Sequence, residues 1–287
     1  MTTPEALLEL YDRQFRRSSD ARGRLLADES GPLVRGGAGG ILTSRQPDLG
    51  VTGAALDELI HRQIAGGTAV DWRVHGHDRP GELGDRLLAA GFTARRSGTV
   101  LVGETAAVTA ELAPPTDVTP QADLAPPAGV ALPTGVPLPA DVPLPAGVTI
   151  RRTTDPADAD RIADQHTEVW GEDLGFLAKL LKDRLADRPD GIPILLAEAA
   201  DGTLVCSAWM LLREDSDFAT LLGGSTLKAW RGRGIYRALV AHRARIAEQH
   251  GYRYLHVEAS DHSAPILRRL GFQAITTATQ YRWSPPA

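Results

Sequence analysis

The alternation of apolar and polar positions divides the chain into two stretches, each built of helical and strand-like segments. In the second stretch, Val148–Arg152 reads as a strand and Pro156–Trp170 as a helix. Leu174, Leu177, Leu181 and Leu185 then recur at helical spacing and predict a helix over Asp173–Asp187. Ile192–Glu198, Thr203–Leu212 and Phe218–Leu227 predict three consecutive strands. Gly234–His250 is amphipathic, with Leu239, Val240, Ala244 and Ile246 able to share one face. Tyr252–Ala259 alternates with a strand period, so that His256 and Glu258 share a face. A short helix over Ala264–Leu270 stops at Gly271, and Phe272–Trp283 supplies the closing strands.

The first stretch repeats part of this plan. A helix over Ala54–Ala65, a strand over Ala69–His75 and a helix over Gly81–Ala90 lead to Gly91-Phe92. The order parallels Leu239–Gln249, Tyr252–Glu258, Ala264–Leu270 and Gly271-Phe272, and the endings RLLAAGF (86–92) and ILRRLGF (266–272) match most closely. An old duplication accounts for the parallel; so does the chance likeness of two amphipathic helices. Between the stretches, residues 105–147 hold 10 of the 20 prolines and a six-residue repeat: PAGV, PTGV, PADV and PAGV, starting at Pro127, Pro133, Pro139 and Pro145. Proline at this density removes backbone donors and favours extended structure, so the segment reads as a semi-rigid spacer. The expected organisation is an N-terminal module over 1–104, a linker over 105–147 and a C-terminal module over 148–287.

Composition narrows the function classes. A length of 287 residues suits two domains, and 43% hydrophobic content is enough for two cores. With aromatics at 5%, aliphatic side chains must fill them. A net charge of −5 gives no electrostatic footprint for nucleic acid. No apolar run reaches the 18 or so residues of a membrane span. The N-terminus shows no basic region followed by an apolar core, so a cytoplasmic protein is expected. The single cysteine, Cys206, lies in an apolar run and reads as a buried strand residue rather than a disulfide or zinc ligand. His75, His77 and Asp78 form HGHD at a strand end; no further ligand cluster accompanies them in that half, and no metal is expected.

The chemistry concentrates in WRGRGIYRALVAHRA (230–244). Arg231, Gly232, Arg233 and Gly234 set glycines where a strand must turn into a helix, leaving amide groups free. The helix then opens with its positive dipole end and unpaired N–H groups beside two arginines, a ready phosphate site. The order strand, RGRGIY, amphipathic helix, strand, short helix, GF resembles the GNAT N-acetyltransferase superfamily over Val148–Trp283, whose phosphate motif is Q/R-x-x-G-x-G/A. Arg231 and Gly234 fill its first and fourth positions; Tyr236 departs from the small residue at the sixth. The resemblance implies a mixed twisted α/β (α+β) sheet flanked by helices. It implies that the amides of Arg231, Gly232, Arg233, Gly234, Ile235 and Tyr236 hold the pyrophosphate of acetyl-CoA. It also implies that Thr226, Leu227 and Lys228 meet the pantetheine and thioester. Tyr236 either packs or reaches the acceptor.

The N-terminal stretch carries DLGVTGAALDEL (48–59) in place of RGRGIY. The resemblance makes it a degenerate GNAT-like module that shapes the acceptor pocket or stabilises its neighbour. Two habits of the family are missing. The tyrosine general acid of the helix before GF falls on Leu267, and the fourth strand, FATLLGGSTL (218–227), holds no acid. The frequent asparagine at the end of the fifth strand falls on Ser260. Glu258 is the leading candidate for the catalytic base, with His256, Asp261 and His262 behind it; a solvated or structural salt-bridging role for Glu258 is the alternative. The expectation is an N-acetyltransferase acting on a small-molecule amine by direct attack, as a monomer or homodimer. Its alternative is a catalytically silent acyl-CoA-binding or regulatory protein. An aminoacyl-tRNA-dependent transferase is disfavoured by RGRGIY and the acidic charge.

Overall fold

The computed structural model describes residues 2–15, 26–27, 32–36, 41–112, 143–214 and 216–286. The chain begins with α1 (Pro4–Phe15) and three short strands, β1 (Leu26–Ala27), β2 (Leu33–Gly36) and β3 (Ile41–Ser44). Then come α2 (Gly53–Ile64), β4 (Val70–His75), α3 (Leu83–Ala89), β5 (Thr93–Glu104) and α4 (Thr105–Leu112). The second half runs β6 (Thr149–Thr153), α5 (Pro156–Trp170), α6 (Phe176–Asp187), β7 (Ile194–Glu198), β8 (Leu204–Leu212) and β9 (Phe218–Thr226). It closes with α7 (Ile235–Gln249), β10 (Tyr254–Ala259), α8 (Ala264–Arg269) and β11 (Gln273–Trp283).

Both halves share one mixed 11-stranded sheet, in the order β1-β2-β3-β4-β11-β5-β10-β9-β8-β7-β6. Each half gives its last strand to the other. β11 lies between β4 and β5, and β5 lies between β10 and β11, all antiparallel. The closing strands expected over Phe272–Trp283 are therefore a single 11-residue strand, and its partner comes from the first half. Local alternation marks a strand but not which strand it pairs with. Because the backbone groups of β10 and β4 are satisfied by strands from the opposite half, the two halves are joined by a continuous ladder.

Helices cover both faces. On one, α4, α7 and α8 pack over a core that includes Leu101, Leu239, Leu255 and Leu267. α2 and α3 cover the same face at the other end, around Leu56, Leu87 and Trp72. On the opposite face, α5 and α6 pack over Ile194, Leu196 and Trp209, and α1 covers Val100, Val102, Phe218 and Tyr254. α7 is buried on more sides than its amphipathic pattern requires, because Val108 and Leu112 of α4 join its core. Residues 105–112, assigned to the spacer by the sequence reading, are thus a packed helix. The PAGV-type repeat from Pro127 to Val142 lies outside the described residues. Chain described again from Pro143 reaches the core through Leu144.

α5 starts on an Asp155 cap whose carboxylate accepts from the Ala157 amide at 2.9 Å, with Pro156 in its first turn. Beside it Arg151, Asp158, Arg161 and Glu198 form a network tying β6, α5 and β7 together. Burial would raise the Asp158 carboxyl, but hydrogen bonds from Arg151, Thr153 and Arg161 outweigh it and hold it at about 2.

Candidate active site

The site grows from the way β9 ends. β9 and β10 run parallel but pair only over Phe218–Thr220 and Tyr254–His256. Beyond that point the two strands no longer pair with each other. On its other edge β9 pairs with β8, and there the register shifts: Gly223 and Gly224 together face Ala208. This is a β-bulge, a device that re-aims a strand beside a site. Gly223 has φ +61°, and a Cβ on it would fall inside the Trp209 ring. A Cβ on Gly224 would stand 2.5 Å from Cε2 of Tyr236.

After Thr226 a turn of 3₁₀ helix (Lys228–Trp230) leads to the glycine loop. Gly232 and Gly234 have φ of +74° and +82°, in the left-handed region open to glycine. Gly234 caps α7, whose first-turn amides have no acceptor inside the helix. Arg231 donates from Nε to the Thr226 carbonyl at 3.1 Å, and Arg233 lies over the Trp230 ring at 5.0 Å. Arg231 to Gly234 are all exposed, whereas Ile235 is buried in the core under α7. Tyr236 turns inward, packing with that core against Gly224 and Arg243. Lys228 is exposed, while the Leu227 amide is taken by the Val205 carbonyl at 3.0 Å. Thr226 places its hydroxyl 3.0 Å from the Cys206 sulfur.

The other candidates lie along β10. Glu258 projects on the α1 face just past the last β9–β10 pair and meets Arg73 of β4 at 3.1 Å, each side chain 30% exposed. His256, on the same face, is 2% exposed and sits against Phe15 and Tyr11 of α1. Burial, with Arg213 and Arg73 adding positive charge nearby, depresses its pKa well below that of a free histidine. Asp261 and His262 are exposed on the following loop, and the Ser260 hydroxyl lies 3.2 Å from that of Ser263. Leu267 is fully buried. Across the gap, Arg96 of β5 pairs with Glu172 and lies 5.3 Å over the Trp170 ring. Trp170 and Phe176, flanking this loop, are 50% and 63% exposed.

HGHD is spent on structure. The His75 ring contacts the Tyr11 hydroxyl at 3.1 Å, and His77 contacts Asp12 at 3.1 Å and Thr276 at 2.8 Å. Among the described residues no group of three or more His, Cys, Asp and Glu is placed to hold a metal ion. Nor is any helix among them long and apolar enough to cross a membrane.

The sequence reading passed over the bulge and its surroundings. The consecutive glycines of LLGGST (221–226) inside a strand pattern were the available signal. Arg243, Gln165 and His166, from helices on opposite faces, had none.

A parted parallel strand pair, a bulge in β9 and a glycine turn at the N-terminus of α7 thus meet at one end of the sheet. The family model described as the acetyltransferase (GNAT) family matches residues 159–272. Residues 159–272 thus match a GNAT acetyltransferase domain, and the general chemistry of that family is acyl transfer from acyl-CoA. No curated protein matches the sequence. Among solved structures, a GCN5-related N-acetyltransferase from Kribbella flavida has a TM-score of 0.61 at 17% identity, over 100% of this chain and 97% of its own. A functionally unknown conserved protein from Staphylococcus epidermidis has a TM-score of 0.57 at 12% identity, over 92% and 94%. A tandem GNAT protein from the clavulanic acid biosynthesis pathway has 0.51 at 13% identity, over 89% and 78%. At these identities the likeness is one of fold.

Proposed function

We propose that the protein is an acetyl-CoA-dependent N-acetyltransferase acting on a small-molecule amine by direct attack. The observation that carries this reading is the turn Arg231–Tyr236, which opens α7 beside the place where β9 and β10 part. The residues fit an acyl-CoA. A pyrophosphate would lie on the first-turn amides of α7 with the charge of Arg231 and Arg233 beside it, and Gly232 and Gly234 let the backbone approach. The pantetheine arm would enter the strand gap at Thr226–Lys228. The amine nitrogen attacks the thioester carbonyl carbon, the C–N bond forms and the C–S bond breaks. The proton the nitrogen loses balances the one the sulfur gains. Positioning the two substrates supplies most of the acceleration.

Glu258 is the group proposed to take the amine proton, since it stands on the open side of the gap. Glu258→Gln with unchanged kcat and pH profile removes it from that role. The acceptor would sit on the α1 face, between the α5–α6 loop with Trp170 and Glu172 and the first half's Arg73 and Arg96. In this reading the N-terminal half is a degenerate module that builds one wall of the pocket. The protein would work in the cytoplasm without a metal, as a monomer or homodimer.

A thermal shift with acetyl-CoA tests the site. At about 100 times Kd, ligand should stabilise the folded state by roughly 2.7 kcal/mol. The shift should vanish in Gly234→Asp, provided that variant still melts cooperatively. No shift with acetyl-CoA or longer acyl-CoAs refutes the proposal. A silent acyl-CoA-binding protein is the second reading, favoured by Leu267 where the family carries its tyrosine. CoA release with a panel of amines separates the two.

A further inference from the structure

A β-bulge leaves carbonyls outside the ladder, and around this one side chains from both faces bond carbonyls of β8 and β9. From the α7 face, Arg243 donates from Nη1 to the Trp209 and Leu222 carbonyls, each at 3.2 Å, and from Nε to Leu239 at 3.1 Å. From the α5 face, Gln165 donates to the Ser225 carbonyl at 3.1 Å, and the His166 ring reaches the Gly223 backbone. The bulge is therefore built by its surroundings and is no accident of two glycines.

Arg243 is the unusual member. It is 1% exposed, and the polar groups around its guanidinium are backbone carbonyls, the Tyr236 phenol and the Cys206 thiol. No carboxylate pairs with it among the described residues. Burying an ion without a counter-ion is unfavourable, and a site that needed only packing would be served better by an aliphatic side chain. Nη1 of Arg243 bonds the Leu222 carbonyl just before the bulge, and the Cys206 thiol beside the charge lies 3.0 Å from the Thr226 hydroxyl.

We propose that Arg243 is a positioning residue for acyl transfer: it fixes the β9 bulge and holds an uncompensated positive charge close to Thr226, where a strand amide would polarise the thioester carbonyl. The inference rests on the acyl-CoA reading above. In a low-dielectric, preorganised site, such a charge favours the oxygen on which negative charge develops. Tyr236, which replaces the small residue of the family motif, shields the guanidinium from the loop that would hold the pyrophosphate.

Difference infrared spectroscopy of the full chain with acetyl-CoA labelled with ¹³C at the carbonyl reads this polarisation directly. In the wild type the bound carbonyl band should lie below its position in free acetyl-CoA. Arg243→Met keeps the volume and removes the charge. It should retain the acetyl-CoA thermal shift, move the band back toward the free position and lower kcat about tenfold or more with little change in KM. Arg243→Lys, which keeps charge but loses the fork, should fall between. A folded Arg243→Met with the wild-type band overturns the proposal. So does an unshifted band in the wild type, a measurement that needs no variant. If acetyl-CoA does not bind the wild type at all, the acyl-CoA reading fails with it; bound acetyl-CoA with an unshifted band sinks the Arg243 role alone.

Discussion

Gly223→Ala tests the bulge as a packed structure. Two effects add. The residue has φ +61°, and a left-handed conformation costs an L-residue roughly 1–2 kcal/mol. The new methyl also falls inside the Trp209 ring, which is 6% exposed, belongs to the core under α5 and α6, and lies 5.4 Å from the His166 ring. With no free space to turn into, forced overpacking adds about 1–3 kcal/mol. The sum is roughly 2–5 kcal/mol, or about 4–20 °C in Tm at about 2–4 °C per kcal/mol. Gly202→Ala is the control. Gly202 has φ +85° with nothing within 4 Å of an added Cβ, so it should show the backbone effect alone. Thermal denaturation of the two variants side by side decides. If Gly223→Ala melts within a degree or two of Gly202→Ala, Trp209 does not pack on the bulge and the argument fails.

Further outcomes concern buried titratable groups. Burial lowers His166 from 6.5 to about 4, so between those pH values the unfolded chain binds the extra proton. The stability this gives is complete above pH 6.5 and is lost as pH falls to about 4, a change of about 3 kcal/mol. Urea melts across that window should show the slope, and His166→Gln should reduce it, leaving the part that buried His256 contributes. Asp158→Ala removes the carboxylate that Arg151 holds at 2.8 and 2.9 Å and leaves Arg151 and Arg161 sharing Glu198. Because both arginines keep Glu198 and are partly exposed, a loss of about 1–3 kcal/mol is expected, read from denaturant midpoints at pH 7. Cys206 is fully buried, and burial pushes its thiol up to about 11. A thiol reagent should label it only on unfolding, and rapid labelling of the native protein at pH 8 would contradict the structure.

Much of the architecture was legible in the sequence because it is locally encoded. The leucines of α6, the alternation of β10 and the glycines before α7 each follow from periodicity or from a φ angle that only glycine takes easily. The glycine turn before α7 was readable for the same reason, since a turn and the helix start that follows it come from consecutive residues. Tertiary structure alone decided the rest. Which strand fills the gap between β10 and β11 depends on a ladder closed between residues more than a hundred positions apart, and alternation carries no record of its partner. The pairing of Glu258 with Arg73 follows from that exchange of strands, as does the placing of Arg96 beside Trp170. Arg243 reads in the sequence as one basic residue among several on α7. Its burial is visible only where α7 crosses the bulge, because a guanidinium stays in the interior only where fixed carbonyls meet it.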